Sequence, residues 1–375
     1  MTARASNRHL LVVEPRSRGH LLMYVRLLVE DALERGDDVT CALSPDAGTA
    51  PEYELHLADL VGRFRSTSIG LPLRDRSVSS AAAHVGADLV VVPHGDELAS
   101  RYGLPFARSP RVPTRLLVMR DPRWEEPRTI QGRARRAAKL LLLRRASRRR
   151  NVDVVWLRAP LHRPDGREHV AVDPFIGTTA DDAVVAAAEM RGRWPAPVGT
   201  YWFALTGAVS RRKNAPLVVE ALLALRARRP DLDVGLAIIG PQDQDVRDGV
   251  SPLLADLISA GAHVHVDDRH LSNEEMNHVV AAADAIVLAY STNAPNSTLG
   301  KAYVLGTAII SAGSKTFREY AAPLGGWTAA LDVTDLSRAM EAAMEGPAPV
   351  RRPDAIGTTH FTHALLADNI TSDRR

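Results

Sequence analysis

The chain has 375 residues, enough for two domains of ordinary size, each with its own core. Its 45% hydrophobic and 24% charged residues are those of a soluble globular protein, and its formal net charge of +3 is modest. No apolar run approaches the roughly 20 residues that span a bilayer, the start Met1–His9 lacks an apolar export core, and the single cysteine, Cys41, excludes an internal disulfide and a cysteine metal cluster, so a cytoplasmic location is the default expectation.

His9-Leu-Leu-Val-Val-Glu14 reads as a first strand, followed by a turn through Gly19 and His20. A helix is predicted over 21–34 from apolar residues at Leu21, Val25, Leu28 and Ala32, with a stop at Gly36 and a second strand at Val39–Leu43. A glycine at a strand-to-helix turn lets a ligand approach the backbone, although Gly19-His20 is equally readable as a plain tight turn. Residues 44–87 carry weaker signals, consistent with helices near 52–61 and 77–84. Asp88-Leu-Val-Val-Val92 is a buried strand, and His94, Asp96 and Glu97 follow at its carboxyl end. His94 and Asp96 can bind hydroxyls or handle protons there, or Asp96 can simply cap the next helix. Thr114–Met119 is another strand, ending in Arg120 and Asp121.

Residues 132–150 hold nine arginines and lysines and no acid. As a helix this stretch suits an anionic membrane surface or an acidic acceptor; the plainer reading is a solvated helix packed by its leucines. No aromatic or zinc-type reading motif accompanies the charge, so nucleic acid is not expected. Val152–Leu157 reads as one more strand, and the proline-flanked alanine stretch from Asp173 to Pro197 as the joint between two domains.

The strand–helix rhythm then restarts. Strands are predicted at Trp202–Leu205, Gly235–Ile239, Val264–Val266 and Ala285–Tyr290, with helices from Pro216 to about Arg229, near 251–260 and over 272–283. Asp284-Ala-Ile-Val-Leu-Ala-Tyr290 is apolar on both faces, as a buried parallel strand is. A polar loop with Asn293, Asn296, Ser297 and Thr298 leads into an apolar helix that Gly306 ends before Ala308-Ile-Ile310. Backbone N–H groups at a helix start beyond a parallel strand favour phosphate; Ser297 and Thr298 as ordinary caps are the competing reading. Beyond the first strand of this half lie Gly207, Arg211, Arg212 and Lys213. In a doubly wound sheet the two strand ends can face one crevice, where a lysine and a helix start would hold a diphosphate. An exposed basic loop is the alternative for Lys213. Asp243-Gln-Asp245 looks like a metal-binding Asp-x-Asp, but in this loop it is read as chance, so no metal is expected.

The ordered set of features over 200–320 resembles the retaining glycosyltransferases with two Rossmann-like domains (GT-B), the large family-4-like group. It comprises Gly207-Ala-Val-Ser-Arg-Arg-Lys213-Asn214, Pro230-Asp-Leu before a strand ending at Gly240, Ala283-Asp-Ala-Ile-Val-Leu288, the polar loop, and Leu305-Gly306-Thr-Ala-Ile-Ile310. The resemblance implies an α/β fold of two doubly wound domains facing a cleft: an acceptor-side domain at 1–185, a nucleotide-sugar domain at 195–350, and a tail at 351–375 able to pack back on the first domain. It implies a hexosyltransferase acting with retention, without metal or cofactor, the nucleotide-diphosphate sugar being the co-substrate. The family usually carries two glutamates eight positions apart in the phosphate loop and helix; here those positions are Asn293 and Lys301, and Lys301 cannot accept hydrogen bonds. The expected site places the donor diphosphate on Gly207, Arg211, Arg212, Lys213, Asn296, Ser297 and Thr298, and the sugar or ribose on Asn293 and Lys301. The acceptor, a saccharide, lipid-linked or small molecule, is expected near Gly19, His20, Arg120 and Asp121, with His94 and Asp96 catalytic. Two readings compete with it: a non-catalytic scaffold of the same fold, motivated by Asn293 and Lys301, and a nucleotide-sugar epimerase.

Overall fold

The computed structural model describes all residues except 1–7, 18–20, 126, 128, 159–168, 293–296, 348, 353–356 and 368–375. The chain forms two compact units. The first is built from the described residues up to Arg158, those of 169–172 and those from Thr358 on; the second from those of 173–357.

The first unit is a seven-stranded parallel sheet of β1 (His9–Glu14), β2 (Asp38–Leu43), β3 (Arg65–Ser68), β4 (Leu89–Val92), β5 (Thr114–Val118), β6 (Val152–Arg158) and β7 (Val170–Val172). Its order is β3-β2-β1-β4-β5-β6-β7. The second is a six-stranded parallel sheet of β8 (Tyr201–Thr206), β9 (Val234–Ile239), β10 (His263–Asp267), β11 (Ala285–Ala289), β12 (Ala308–Ala312) and β13 (Trp327–Ala329), ordered β10-β9-β8-β11-β12-β13. In each, the chain winds one way from the central strand and then reverses. The reversal falls between β1 and β4, and between β8 and β11, and a crevice forms there outside the carboxyl ends of the strands.

The central strands are buried on both faces. Every residue of β4, β9 and β11 is buried, so these strands carry continuous apolar runs rather than alternation. Gly235 in β9 lies opposite Trp202 of β8, and a Cβ there would stand 2.6 Å from the indole ring. The glycine makes room for the largest fully buried side chain among the described residues. Ser272 and Glu275 form a reciprocal cap that starts the helix Asn273–Ala282, and Gly306, at φ +71°, ends the helix Ser297–Leu305.

Several expectations are corrected. The units divide at 172–173 rather than at 185–195. The helix Ala180–Gly192 packs on Asn273–Ala282, so the alanine stretch belongs to the second unit's fold instead of a free joint. Three short strands, β3, β7 and β13, give no periodic signal: β3 is the polar Arg-Ser-Thr-Ser, and the other two have three residues each. Within 44–87 the helices are Pro51–His56 and Asp75–Val85. The helix before β10 runs Gln244–Ser259, well beyond 251–260.

The helix Thr358–Leu366 packs in the first unit against β7 and the helix Leu21–Glu34. Phe361 stacks on Tyr24 at 4.8 Å, Arg8 donates to Leu366 O at 2.7 Å, and Thr362 to Asp31 at 3.1 Å. Among the described residues no helix is long and apolar enough to cross a membrane.

Candidate active site

In the second unit the chain leaves β8 at Thr206 and turns through Gly207, φ +73°. It makes a single 3-10 turn over Arg211–Lys213 and enters the helix Ala215–Arg228 through Asn214 in the left-handed conformation, φ +47°. This loop is stapled across the reversal point to the end of β11. Asn214 Nδ2 donates to Ala289 O at 2.8 Å, and the Ser291 amide donates to Arg212 O at 3.0 Å. The guanidinium of Arg212 lies 5.3 Å from the centre of the Tyr290 ring and the ammonium of Lys213 lies 6.0 Å from it. Tyr290 is itself fixed edge-on against Phe317 at 4.9 Å.

Lys213 is not an exposed loop lysine. It is 4% exposed, and its Nζ donates to Thr206 O. A Cβ at Gly207 would come within 3.5 Å of the same nitrogen. Burial, reinforced by the charge of Arg212, pulls its pKa down from 10.5 to about 7. A lysine so placed gains from any anion that approaches. Arg211 turns the other way and pairs with Asp245, which accounts for the second carboxylate of the Asp-x-Asp sequence. Among the described residues no group of three His, Cys, Asp or Glu side chains is placed to hold a metal ion.

The helix Ser297–Leu305 begins seven residues after Tyr290 with Ser297 exposed and Thr298 buried. Asn293 and Asn296 lie outside the described residues. Lys301, expected at the sugar or ribose, is turned inward. It is 3% exposed, donates to Asn277 Oδ1, and sits 5.4 Å over the Phe175 ring, while Asn277 in turn donates to Ile176 O at 2.8 Å. Its pKa is pushed down to about 8 by burial, partly opposed by Asp173. Lys301 therefore ties its helix to the 173–177 segment.

Sequence reasoning missed three contributors. Tyr290 supplies the ring that both cations approach. Asn214, whose positive φ the side chain tolerates, makes the staple. Gly240, at φ +129°, packs so closely on the loop that a Cβ would stand 2.7 Å from Gly207 O. Only the glycine at a strand end was a usable signal in the chain itself.

In the first unit the reversal point carries a second cluster. Glu14 ends β1 and is 1% exposed; its Oε1 accepts from the Arg16 amide at 3.0 Å, and its Oε2 is buried without a hydrogen-bond partner. Burial raises its pKa from 4.5 to about 8 against the pull of Arg16. The Arg16 guanidinium meets His94 Nδ1 and lies 3.7 Å from Glu97. Asp96, expected to be catalytic, has a structural role here. Its two oxygens accept from the amides of Met119 at 2.9 Å and Arg120 at 3.1 Å, and so hold the end of β4 to the end of β5. Asp121, expected near the acceptor, is buried among arginines. Its side chain is 2% exposed and is shared by Arg158 at 2.8 Å and Arg123 at 2.7 Å. Arg120 is exposed. Gly19 and His20 lie outside the described residues.

No family model matches the sequence, and no curated protein matches it. Solved structures do. HepE of Anabaena, solved with UDP, superposes with a TM-score of 0.60 at 13% identity, covering 96% of this chain and 93% of that one. Sucrose-phosphate synthase of Thermosynechococcus elongatus gives 0.59 at 15% identity over 96% and 95%. MurG of Acinetobacter baumannii gives 0.54 at 14% over 96% of each. Likeness at this level of identity shows the fold: the chain is built as two Rossmann-like units of the glycosyltransferase-B type.

Proposed function

We propose that the protein is a glycosyltransferase that moves a hexosyl group from a nucleotide-diphosphate sugar, with retention and without a metal. The observation that carries this is the stapled loop after β8. It gathers a buried lysine and an arginine around Tyr290 at the reversal point of the second sheet. In this reading Lys213, Arg212 and the first-turn amides of the helix Ser297–Leu305 stabilise the negative charge that grows on the leaving diphosphate. Gly207 keeps a side chain away from the Lys213 ammonium, and Gly240 lets the end of β9 pack against the loop. The acceptor binds on the first unit near Glu14, Arg16 and His94. UDP, bound by the Anabaena neighbour, is the first nucleotide to try.

The acceptor side also carries a surface suited to an anionic membrane, which favours a lipid-linked acceptor and a cytoplasmic protein bound peripherally at the membrane. The helix Ile130–Ala146 exposes Ile130 and Leu141 between its arginines. Its end is tied through Arg149, which donates to Leu104 O at 2.5 Å, to a loop whose Phe106 is 97% exposed. Flotation with vesicles rich in phosphatidylglycerol tests this; loss of binding in Phe106→Ser is expected, and no flotation of the wild type refutes it.

A second reading, a non-catalytic scaffold, is favoured by Lys301, because the family's usual carboxylate position holds a cation turned into the core. Thermal shifts separate the two. Stabilisation by UDP, GDP or TDP but not by the nucleosides supports the transferase; no stabilisation by any of them supports the scaffold. Consumption of a nucleotide sugar without any acceptor would point instead to an epimerase.

A further inference from the structure

The amino ends of β5, β6 and β7 carry a row of polar side chains, at the opposite end of the first sheet from Glu14 and Asp96. Arg115 in β5 lies 3.8 Å from the Asp153 carboxylate in β6, and its guanidinium donates to Ala367 O. Asp153 Oδ2 meets Nδ1 of His169, the residue before β7, at 2.7 Å. A carboxylate only accepts, so Nδ1 carries the ring proton and the lone pair sits on Nε2. That nitrogen is buried and has no hydrogen-bond partner, and the side chain as a whole is 9% exposed. A cavity of about 400 Å³ lies against it, lined by His169, Val170, Thr359, His360, His363 and Ala364. Asp153, on the Nδ1 side of the ring, does not line the cavity, so the Nε2 edge is the one turned to it.

We propose that this cavity is a second ligand site, separate from both reversal-point clusters, which takes a small phosphate monoester with His169 Nε2 as its buried contact. The lining suits an anion: three imidazoles and a hydroxyl, with no acidic residue among those described. Thr359 and His360 stand in the first turn of the helix Thr358–Leu366, where the backbone favours negative charge. Phosphate is the anion that matches a bare nitrogen. A monoester loses its second proton at about pH 6, so near neutrality it still has one to give, which a carboxylate does not. The P–O–H proton passes to Nε2 and leaves a dianion bonded to an imidazolium, whose charge Asp153 holds. The volume is in the range of small organic ligands, roughly 300–1,000 Å³, and so admits an ester group besides the phosphate. Thr359, His360 and His363 are exposed, and exposed side chains change rotamer within nanoseconds, which opens the way to the buried nitrogen. The bound ligand joins the start of β7 to the last helix and holds that helix on the first unit.

This site does not depend on the glycosyltransferase reading, and its test does not use turnover. Imidazole proton–carbon spectra of the full chain at pH 7, stripped of metal ions with EDTA, report on the three histidines, each assigned by the loss of its signals on substitution. Titration with glycerol 3-phosphate should move the signals of His169, His360 and His363 with one saturable affinity, and equally in Lys213→Met, which lacks the diphosphate lysine. Dimethyl phosphate, a diester with no second proton, should bind at least about tenfold more weakly. His169→Gln should weaken the titration of His360 and His363 by about tenfold or more, the worth of one charge-assisted hydrogen bond. Should that variant fail to fold, the exposed His363→Ala decides: it should weaken the titration of His169 about threefold with the fold intact. Amide exchange in the helix Thr358–Leu366 should slow when the ester is bound. Absence of a saturable shift at His169, equal affinity for the diester, unchanged titration in a folded His169→Gln or in His363→Ala, or binding that appears only when zinc is added would each overturn the proposal.

Discussion

Replacing Lys213 by methionine should make the second unit more stable while removing its affinity for diphosphate. The buried ammonium has a pKa near 7 in the folded chain against 10.5 for a free lysine. That gap of about 3.5 units corresponds to a penalty of about 5 kcal/mol when the group is fully charged, and about 4 kcal/mol at pH 7, where it is half protonated. The sign follows from proton counts. Between pH 7 and 10.5 the unfolded chain binds more protons than the folded one, so wild-type stability rises with pH across that window; below pH 7 the whole penalty applies. Methionine removes the penalty but forfeits the bond to Thr206 O, about 1 kcal/mol plus an unsatisfied carbonyl. The net gain expected at pH 7 is about 2–3 kcal/mol, or roughly 5–10 °C in Tm for a unit of this size. Urea unfolding followed by tryptophan fluorescence at pH 7 and pH 10 measures it, since Trp202 is buried within the strand that leads into the site. If the variant is less stable at pH 7, or if its margin over wild type does not shrink as pH rises, the lysine is not desolvated and the reasoning fails.

The first unit should show the opposite slope. Glu14 has a folded pKa raised from 4.5 to about 8, so the folded chain holds the extra proton and stability falls as pH rises from 4.5 to 8. Glu14→Gln should flatten that fall and gain up to about 5 kcal/mol above pH 8; a titration of stability unchanged by the substitution would contradict it. Gly235→Ala should cost about 1–3 kcal/mol through collision with the Trp202 ring, read as a lowered urea midpoint with altered tryptophan emission; a neutral result would show that the two strands are less tightly paired. Lys301→Met should leave nucleotide affinity within about twofold, because one bonded side chain turned into the core makes no ligand contact. A tenfold loss in calorimetry would restore Lys301 to the donor site.

How much of this could be read from the residues alone depends on what each signal encodes. Double-sided burial is written into apolar runs such as Asp284–Tyr290, and turns are written into Gly207 and Gly306, so the second unit's rhythm and its reversal point were legible. The direction in which a side chain leaves a helix or loop is not written there. Lys213 and Lys301 are the same residue type, one in a polar loop and one in an apolar helix; one turns to the strand end and the other to Asn277, and only packing decides it. Asp121 and Asp96 look alike as polar strand ends, yet the first is consumed by arginines and the second by backbone amides. Short edge strands such as Arg65–Ser68 are stabilised by their neighbour's backbone and need no apolar pattern. Glu14 was hidden for a related reason: at the end of a strand a carboxylate usually marks the surface, and its burial depends on the turn that Arg16 folds over it.

The claim that a nucleoside diphosphate sits on Lys213 and Arg212 is tested most directly by isothermal calorimetry of UDP, GDP and TDP, with the matching monophosphates, at pH 7.5. Tight binding of one diphosphate, at least tenfold weaker for its monophosphate because a phosphate is missing, and abolished in Lys213→Met, is the predicted result. Equal affinity for diphosphate and monophosphate, or full affinity in Lys213→Met, would contradict it.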